Sequence, residues 1–242
     1  MFDVNKFEKF QLVTLGALLA VGLIFSTKIA VKGISGNVIS VTGSAYEVIK
    51  SDSGTLDFEI SVKKPTKQEA YSIAQNQIQV VRDYLKSKGI EKVELKTVNG
   101  YYSYKRDSRT GNYTEEREAY NLSQPIKISS DNVLLIKEIS NDITSLINKG
   151  VDITVFSPSY DYSKLGDLKI VLLEKASNDA KKRAESMLKP THNRVGNVQS
   201  VRMGVYQITP VDSTNVSDMG INDTSTIDKK VTAVANISFK IK

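Results

Sequence analysis

Apolar and polar positions change period several times along the chain, and each change predicts an element. The first apolar segment does not alternate at all. Phe10 to Thr27 carries no charge, with Lys6 and Lys9 before it and Lys28 and Lys32 after it. At a rise of about 1.5 Å per residue the run reaches about 27 Å, enough for a bilayer core. An uncleaved membrane anchor and a cleaved signal peptide both fit, and a buried soluble helix is the third reading. Gly33-Ile34-Ser35 has small residues at cleavage spacing but lies far from the apolar core. With two lysines on each flank, charge does not set the orientation.

After this segment the period falls to two. Val38 to Tyr46 predicts a strand with Ile39, Val41 and Ala45 on one side, and Leu56 to Val62 alternates strictly, as in a sheet with one wet face. Pro65 ends that strand. Thr66-Lys67-Gln68-Glu69 is a capping box, and the period then lengthens to that of a helix running to Lys88. Its buried stripe is Ala70, Ile73, Ala74, Ile78, Val81 and Leu85, with Gly89 as its stop. Val93 to Tyr104 predicts a third strand, Arg106 to Asn112 a polar hairpin loop, and a fourth strand continues to Ile128. Pro125 predicts that part of this strand is an edge or carries a bulge.

Asp131 is positioned to cap a second helix that buries Leu135, Ile136, Ile139, Ile143, Leu146 and Ile147 and closes at Gly150. Asp152 to Tyr162 is a fifth strand. From Leu56 onward the order is β-α-β-β-α-β, the split ferredoxin-like arrangement. A long helix from Lys164 to Leu188 follows, with Ala176, Ala180 and Ala184 on one face, so another backbone can approach closely. Val195 to Ile208 predicts a sixth strand, and Val211 to Asp228, rich in Ser, Thr, Asn and Asp, a mobile loop. The last strand places Val231, Ala233, Ala235, Ile237, Phe239 and Ile241 on one face. The fold class expected is therefore α+β with a mainly antiparallel sheet, preceded by a membrane helix.

Composition narrows the chemistry. The net charge is +6, and beyond residue 32 it is a mild excess, 29 basic against 25 acidic residues, with no long basic block. That is too diffuse for a nucleic-acid footprint, and no nucleic-acid partner is expected. The chain has no cysteine and one histidine, His192, so thiolate sites and multi-histidine metal sites within one chain are excluded. Phosphate-binding glycine motifs are absent. No catalytic residue, cofactor or metal is assigned: Asp212, Asp218 and Asp223 crowd the predicted loop, but their spacing is not that of a calcium loop.

Two surfaces remain as candidates for ligand or subunit contact. Tyr102 and Tyr104 share a strand face near Arg106 and Arg109 of the hairpin, with Tyr101, Tyr113, Tyr120, Lys105 and Arg117 close in sequence. Cross-strand packing or an oligomer contact accounts for the cluster; stacking against a single strand or another polymer is the alternative. The second surface is the Ala176/Ala180/Ala184 face.

Several segments in order resemble the SIMPL domain family, also known as DUF541. They are Val41-Thr42-Gly43, the Leu85 to Ile90 helix end, Ala119-Tyr120-Asn121-Leu122, the helix Ala176 to Glu185 with Arg194-Val195-Gly196-Asn197-Val198 after it, and the alternating final strand. The resemblance covers about residues 37–242. It implies an α+β fold, export to the periplasm or cell surface, assembly into large rings in some members and a loose link to stress tolerance. It implies no catalytic residues. Lys189-Pro190-Thr191-His192-Asn193 stands where a glycine-bearing turn is expected. The organisation expected is thus an N-terminal anchor or signal at residues 1–32 and a SIMPL-like domain at 33–242. The expected function is that of a non-enzymatic, self-associating scaffold or binding module in the cell envelope, membrane-held or secreted after cleavage. A ligand- or polymer-binding protein using the Tyr/Arg hairpin is the alternative.

Overall fold

In the computed structural model, which describes residues 37–242, the strands and helices fall where the period of the sequence changes. In chain order they are β1 (Val38–Lys50), β2 (Ser53–Lys64), α1 (Lys67–Ser87), β3 (Val93–Leu95), β4 (Asn99–Arg106), β5 (Tyr113–Ser130), α2 (Val133–Asp142), β6 (Ile153–Val155), β7 (Ser159–Asp161), α3 (Leu165–Leu188), β8 (Val195–Met203), β9 (Gln207–Pro210), β10 (Ile221–Asn222) and β11 (Asp228–Ile241). Among the described residues the fold is α+β, with mostly antiparallel sheets and three α-helices. The predicted anchor or signal lies outside the described residues. Among the described residues no helix is long and apolar enough to cross a membrane.

The chain forms two compact units; three of the four boundaries fall inside β1, α3 and β11, and the fourth falls between β8 and β9. The larger comprises Ala45–Leu173 and Val205–Ala233; the described part of the smaller comprises residues 37–44, Glu174–Gly204 and Val234–Lys242.

In the larger unit a six-stranded sheet has the order β3-β5-β2-β6, with β4 also on β5 and β7 also on β2. Every pairing is antiparallel, and β2 and β5 run in continuous register from Gly54↔Ser130 to Lys64↔Tyr120. That register puts Leu56, Phe58, Ile60 and Val62 on one face with Ile128, Ile126 and Leu122. These residues form one core with Ala70, Ala74, Ile78, Val81 and Leu85 of α1 and with Val133, Ile136 and Ile139 of α2. Ile73 packs against this core only partly buried. Thr66 Oγ1 accepts the Glu69 N–H at 3.2 Å, so the capping threonine is in place. At the other end Gly89 takes a left-handed φ of 85°, and the Ile90 N–H reaches the Leu85 carbonyl at 2.9 Å, closing a Schellman turn.

Three predicted strands are each interrupted, for identifiable reasons. The third is split into β3 and β4 opposite Pro125. The Pro125 carbonyl faces this neighbour, accepting the Lys96 N–H at 3.0 Å, so the side of β5 that lacks an N–H faces the gap. The buried Gln124 side chain fills in, donating to the carbonyls of Lys96 at 2.7 Å and Pro125 at 3.0 Å. At Pro125 β5 is therefore neither an edge nor bulged. Its register shifts lie nearer its start, opposite Ser103, Tyr104 and Arg106. The fifth strand breaks into β6 and β7 around Pro158, both paired with β2. The sixth divides at Gly204 into β8 and β9, which pair with different stretches of β11.

Asn132, not Asp131, caps α2: its side chain accepts the Leu135 N–H at 3.2 Å. The helix then tightens into a 3₁₀ turn over Ile143–Lys149. A three-residue period keeps Ile143 and Leu146 inside and turns Ile147 out to 56 % exposure. Gly150 ends it in the left-handed region, as expected. The stretch expected to be a mobile loop is instead pinned at several points. Gln207 hydrogen-bonds the Ser217 backbone through both ends of its amide, β10 pairs in parallel with β9, and the Asp223 N–H donates to the Ile208 carbonyl.

The smaller unit has β11 between β1 and β8. Ala235, Ile237 and Phe239 are buried with Val41, Ala176, Ala180, Ala184 and Leu188. Gly43 makes this packing feasible: a Cβ there would overlap the Ala176 carbonyl and the Ala180 backbone, and would lie 2.7 Å from the Ala180 Cα. Ser44 N–H donates to the Asp179 carboxylate at 2.9 Å, fixing β1 to the helix.

Candidate binding surfaces

The sequence singled out the hairpin of the larger unit, and the structure divides its residues. Tyr102 lies opposite Tyr120 in the ladder, and their rings meet edge to face at 4.9 Å. Gly100 leaves the room that the Tyr120 ring occupies. The Arg117 guanidinium sits 4.3 Å over the other face of Tyr102. Tyr104 shares none of this and is exposed. Arg106 stacks on Tyr113 at 4.4 Å and donates to its hydroxyl at 2.7 Å. Arg109 stays out on the loop, its backbone N–H held by the Asp107 carboxylate. Tyr102 and Arg117 line an open groove of about 670 Å³ with Pro65, Lys67 and the half-exposed Tyr71. This groove joins aromatic faces to two cations, Arg117 of β5 and Lys67 at the start of α1. The sequence did not suggest the pairing with α1, which is distant along the chain.

Asp223 does not gather with Asp212 and Asp218. Burial opposes its ionisation, but hydrogen bonds from Ser225 and Thr226 outweigh that and hold its carboxyl below the ordinary value. Among the described residues no three His, Cys, Asp or Glu cluster closely enough to hold a metal ion. The neighbouring Lys229 is buried on the apolar face of β11, its ammonium donating to the carbonyls of Tyr160 and Asp223, both at 2.5 Å. Burial pushes its pKa below that of an ordinary lysine.

In the smaller unit the Ala176/Ala180/Ala184 stripe is wholly buried within this chain, so none of it reaches the surface. The surface lies on β8 instead. Met203 and Val201 stand opposite Ala235 and Ile237, and Val198 opposite Phe239, so they continue the buried face of β11 outward. All three are more than half exposed, and β8 pairs with no described strand except β11. The sequence concealed this shelf because the register shifts between Ser238 and Phe239. That shift breaks the alternation that would have marked the three residues as one face.

At the start of β8 a groove of about 880 Å³ runs between the strand and α3. It is lined by Lys182, Glu185, Ser186, Lys189, His192, Asn193, Arg194 and Val195. Here His192 takes the left-handed conformation, φ 58°, alone among the described non-glycine residues. The backbone thus makes the turn for which the sequence lacks its glycine. Asp179 ties Arg183 at 2.7 Å, whereas Lys182, Lys189 and Arg194 form no ion pair with any described residue.

No curated protein shows a significant match to the chain. The model of the SIMPL family, described as protein of unknown function (DUF541), matches residues 39–239. That span takes in β1 and nearly all of β11, and the chain belongs to the SIMPL family.

Proposed function

We propose that this chain is a self-associating SIMPL module, tethered to a membrane or exported, that serves as a non-enzymatic scaffold or binding shell in the cell envelope. The observation that carries the reading is β8, an edge strand with Val198, Val201 and Met203 exposed on one face. Such an edge offers unpaired backbone groups and apolar side chains together, which suits pairing with a second copy. The stretch from Ser200 to Met203, in regular register with β11, is the segment we assign to that pairing. Tethering is supported by the uncharged run from Phe10 to Thr27 and its flanking lysines. The domain then lies on the periplasmic or extracellular side, and stress tolerance is the setting that the family resemblance suggests.

The strand order β3-β5-β2-β6, antiparallel throughout and linked through α1 and α2, supports a split ferredoxin-like unit. A second functional reading rests on the Tyr71/Tyr102/Arg117 groove, which suits a ligand with a flat apolar part and an acidic group.

The lack of cysteine makes the test clean. Val201→Cys is expected to cross-link between copies with a short bis-maleimide, while Val216→Cys, on an exposed loop of the larger unit, is not. Equal cross-linking of both, or of neither, contradicts the assignment.

A further inference from the structure

We propose that the groove between α3 and β8 is a contact site for the anionic headgroups of the membrane that holds the chain; this rests on the tethering reading above. Charge is the first argument. The described part of the smaller unit holds nine Lys and Arg against three acidic residues, and the larger unit holds 20 against 22. The net positive charge of the described domain thus resides in one unit. Within that unit the groove gathers Lys182, Lys189 and Arg194 with a single carboxylate, Glu185. None of the three is held in an ion pair with a described residue, although the charge of Lys182 is felt by Asp179, and Ser186 and Asn193 add neutral hydrogen-bonding groups beside them.

Position is the second argument. The Ile241 N–H donates to the Asn37 carbonyl at 2.8 Å, and Arg194 and Lys242 exchange backbone hydrogen bonds at 2.7 and 2.8 Å. The groove therefore opens at the same end of the sheet at which the chain enters from the apolar run. From Thr27 to Asn37 is ten residues, which reach at most about 35 Å when extended. An anchored chain holds this end next to the headgroups, within the range over which an anionic surface attracts lysine and arginine. The open shape suits a headgroup phosphate reached from the side rather than a deeply enclosed anion, and Glu185 is the one group in the lining that opposes negative charge.

The test uses the full chain in nanodiscs of phosphatidylcholine alone, or with 30 % phosphatidylglycerol, read by hydrogen exchange. Peptides covering residues 182–195 are expected to exchange at least three-fold more slowly on the anionic discs. Lys189→Gln/Arg194→Gln is expected to abolish that difference while leaving exchange in β2 and β5 unchanged. Equal exchange on both discs overturns the proposal. So does equal slowing by inorganic phosphate on neutral discs, which would mark a free-anion site. A chain that fails to incorporate into either disc sinks the tethering reading, and this proposal with it, and is distinguishable because no protein then co-purifies with lipid.

Discussion

The two units solve the same packing problem with opposite materials. The larger fills the space between sheet and helices with Leu56, Phe58, Ile60, Ile126, Ile128 and Ile136, all but inaccessible to solvent. The smaller removes side chains until backbone meets backbone, with Gly43 against Ala176 and Ala180. One is held by how much apolar volume it encloses, and the other by how little separates its elements. Charge divides in the same way, leaving the larger unit slightly acidic and the smaller strongly basic. A single fold thus carries a bulky, self-contained core and a thin, charged unit with an open edge.

The contrast predicts opposite responses to mutation. In the smaller unit adding one methyl is the damaging change: Gly43→Ala is expected to cost more than about 3 kcal/mol, because the clash is with backbone that cannot rotate away. In the larger unit removal does the damage. Phe58→Ala is expected to cost about 3–5 kcal/mol. Thermal melts of both variants, with hydrogen exchange resolved to each unit, check the pair; a neutral Gly43→Ala would erase the distinction.

Lys229→Met is smaller and more specific, an expected loss of about 2–4 kcal/mol from leaving the Tyr160 and Asp223 carbonyls without their donor. It also carries a pH signature. Because the Lys229 pKa is depressed in the folded chain, the unfolded chain binds more protons between that depressed value and the ordinary 10.5. Stability is therefore expected to rise with pH across that window, and the substitution to flatten the rise. Denaturant midpoints from neutral to alkaline pH check the sign.

The helix caps provide a finer comparison. Asn132→Ala is expected to lose about 1 kcal/mol and Asp131→Ala close to nothing. His192→Gly is expected to act in the opposite direction. Relief of the left-handed backbone outweighs the added freedom of the unfolded chain, stabilising by up to about 1 kcal/mol.

These cases also show where the sequence was informative. Period reveals what is buried when a segment is regular, so β2, α1 and β11 could be read almost residue by residue. It fails where pairing changes partner or pitch. Val93 to Tyr104 reads as one strand across a gap that only the opposing Pro125 demands, and Ile147 follows a helical period that the 3₁₀ turn abandons. Lys229 is the reverse case, a charged residue in a buried position that two distant carbonyls make tolerable. The alanine stripe correctly signalled close approach, but Gly43, which lies more than 130 positions away, supplied the partner within the same chain. The exposed shelf on β8 was hidden by its register shift, and the groove beside it by a turn whose glycine is missing.

Whether the smaller unit presents an assembling edge is decided by sedimentation velocity on a fragment beginning at Gly36, compared with Val201→Lys/Met203→Lys. Both substituted side chains are already exposed, so the melting temperature should hardly change. The account predicts that the wild-type fragment sediments as a species larger than one chain and that the double variant sediments as a monomer. A wild-type fragment that stays monomeric to high concentration, or a double variant that assembles as the wild type does, would contradict it.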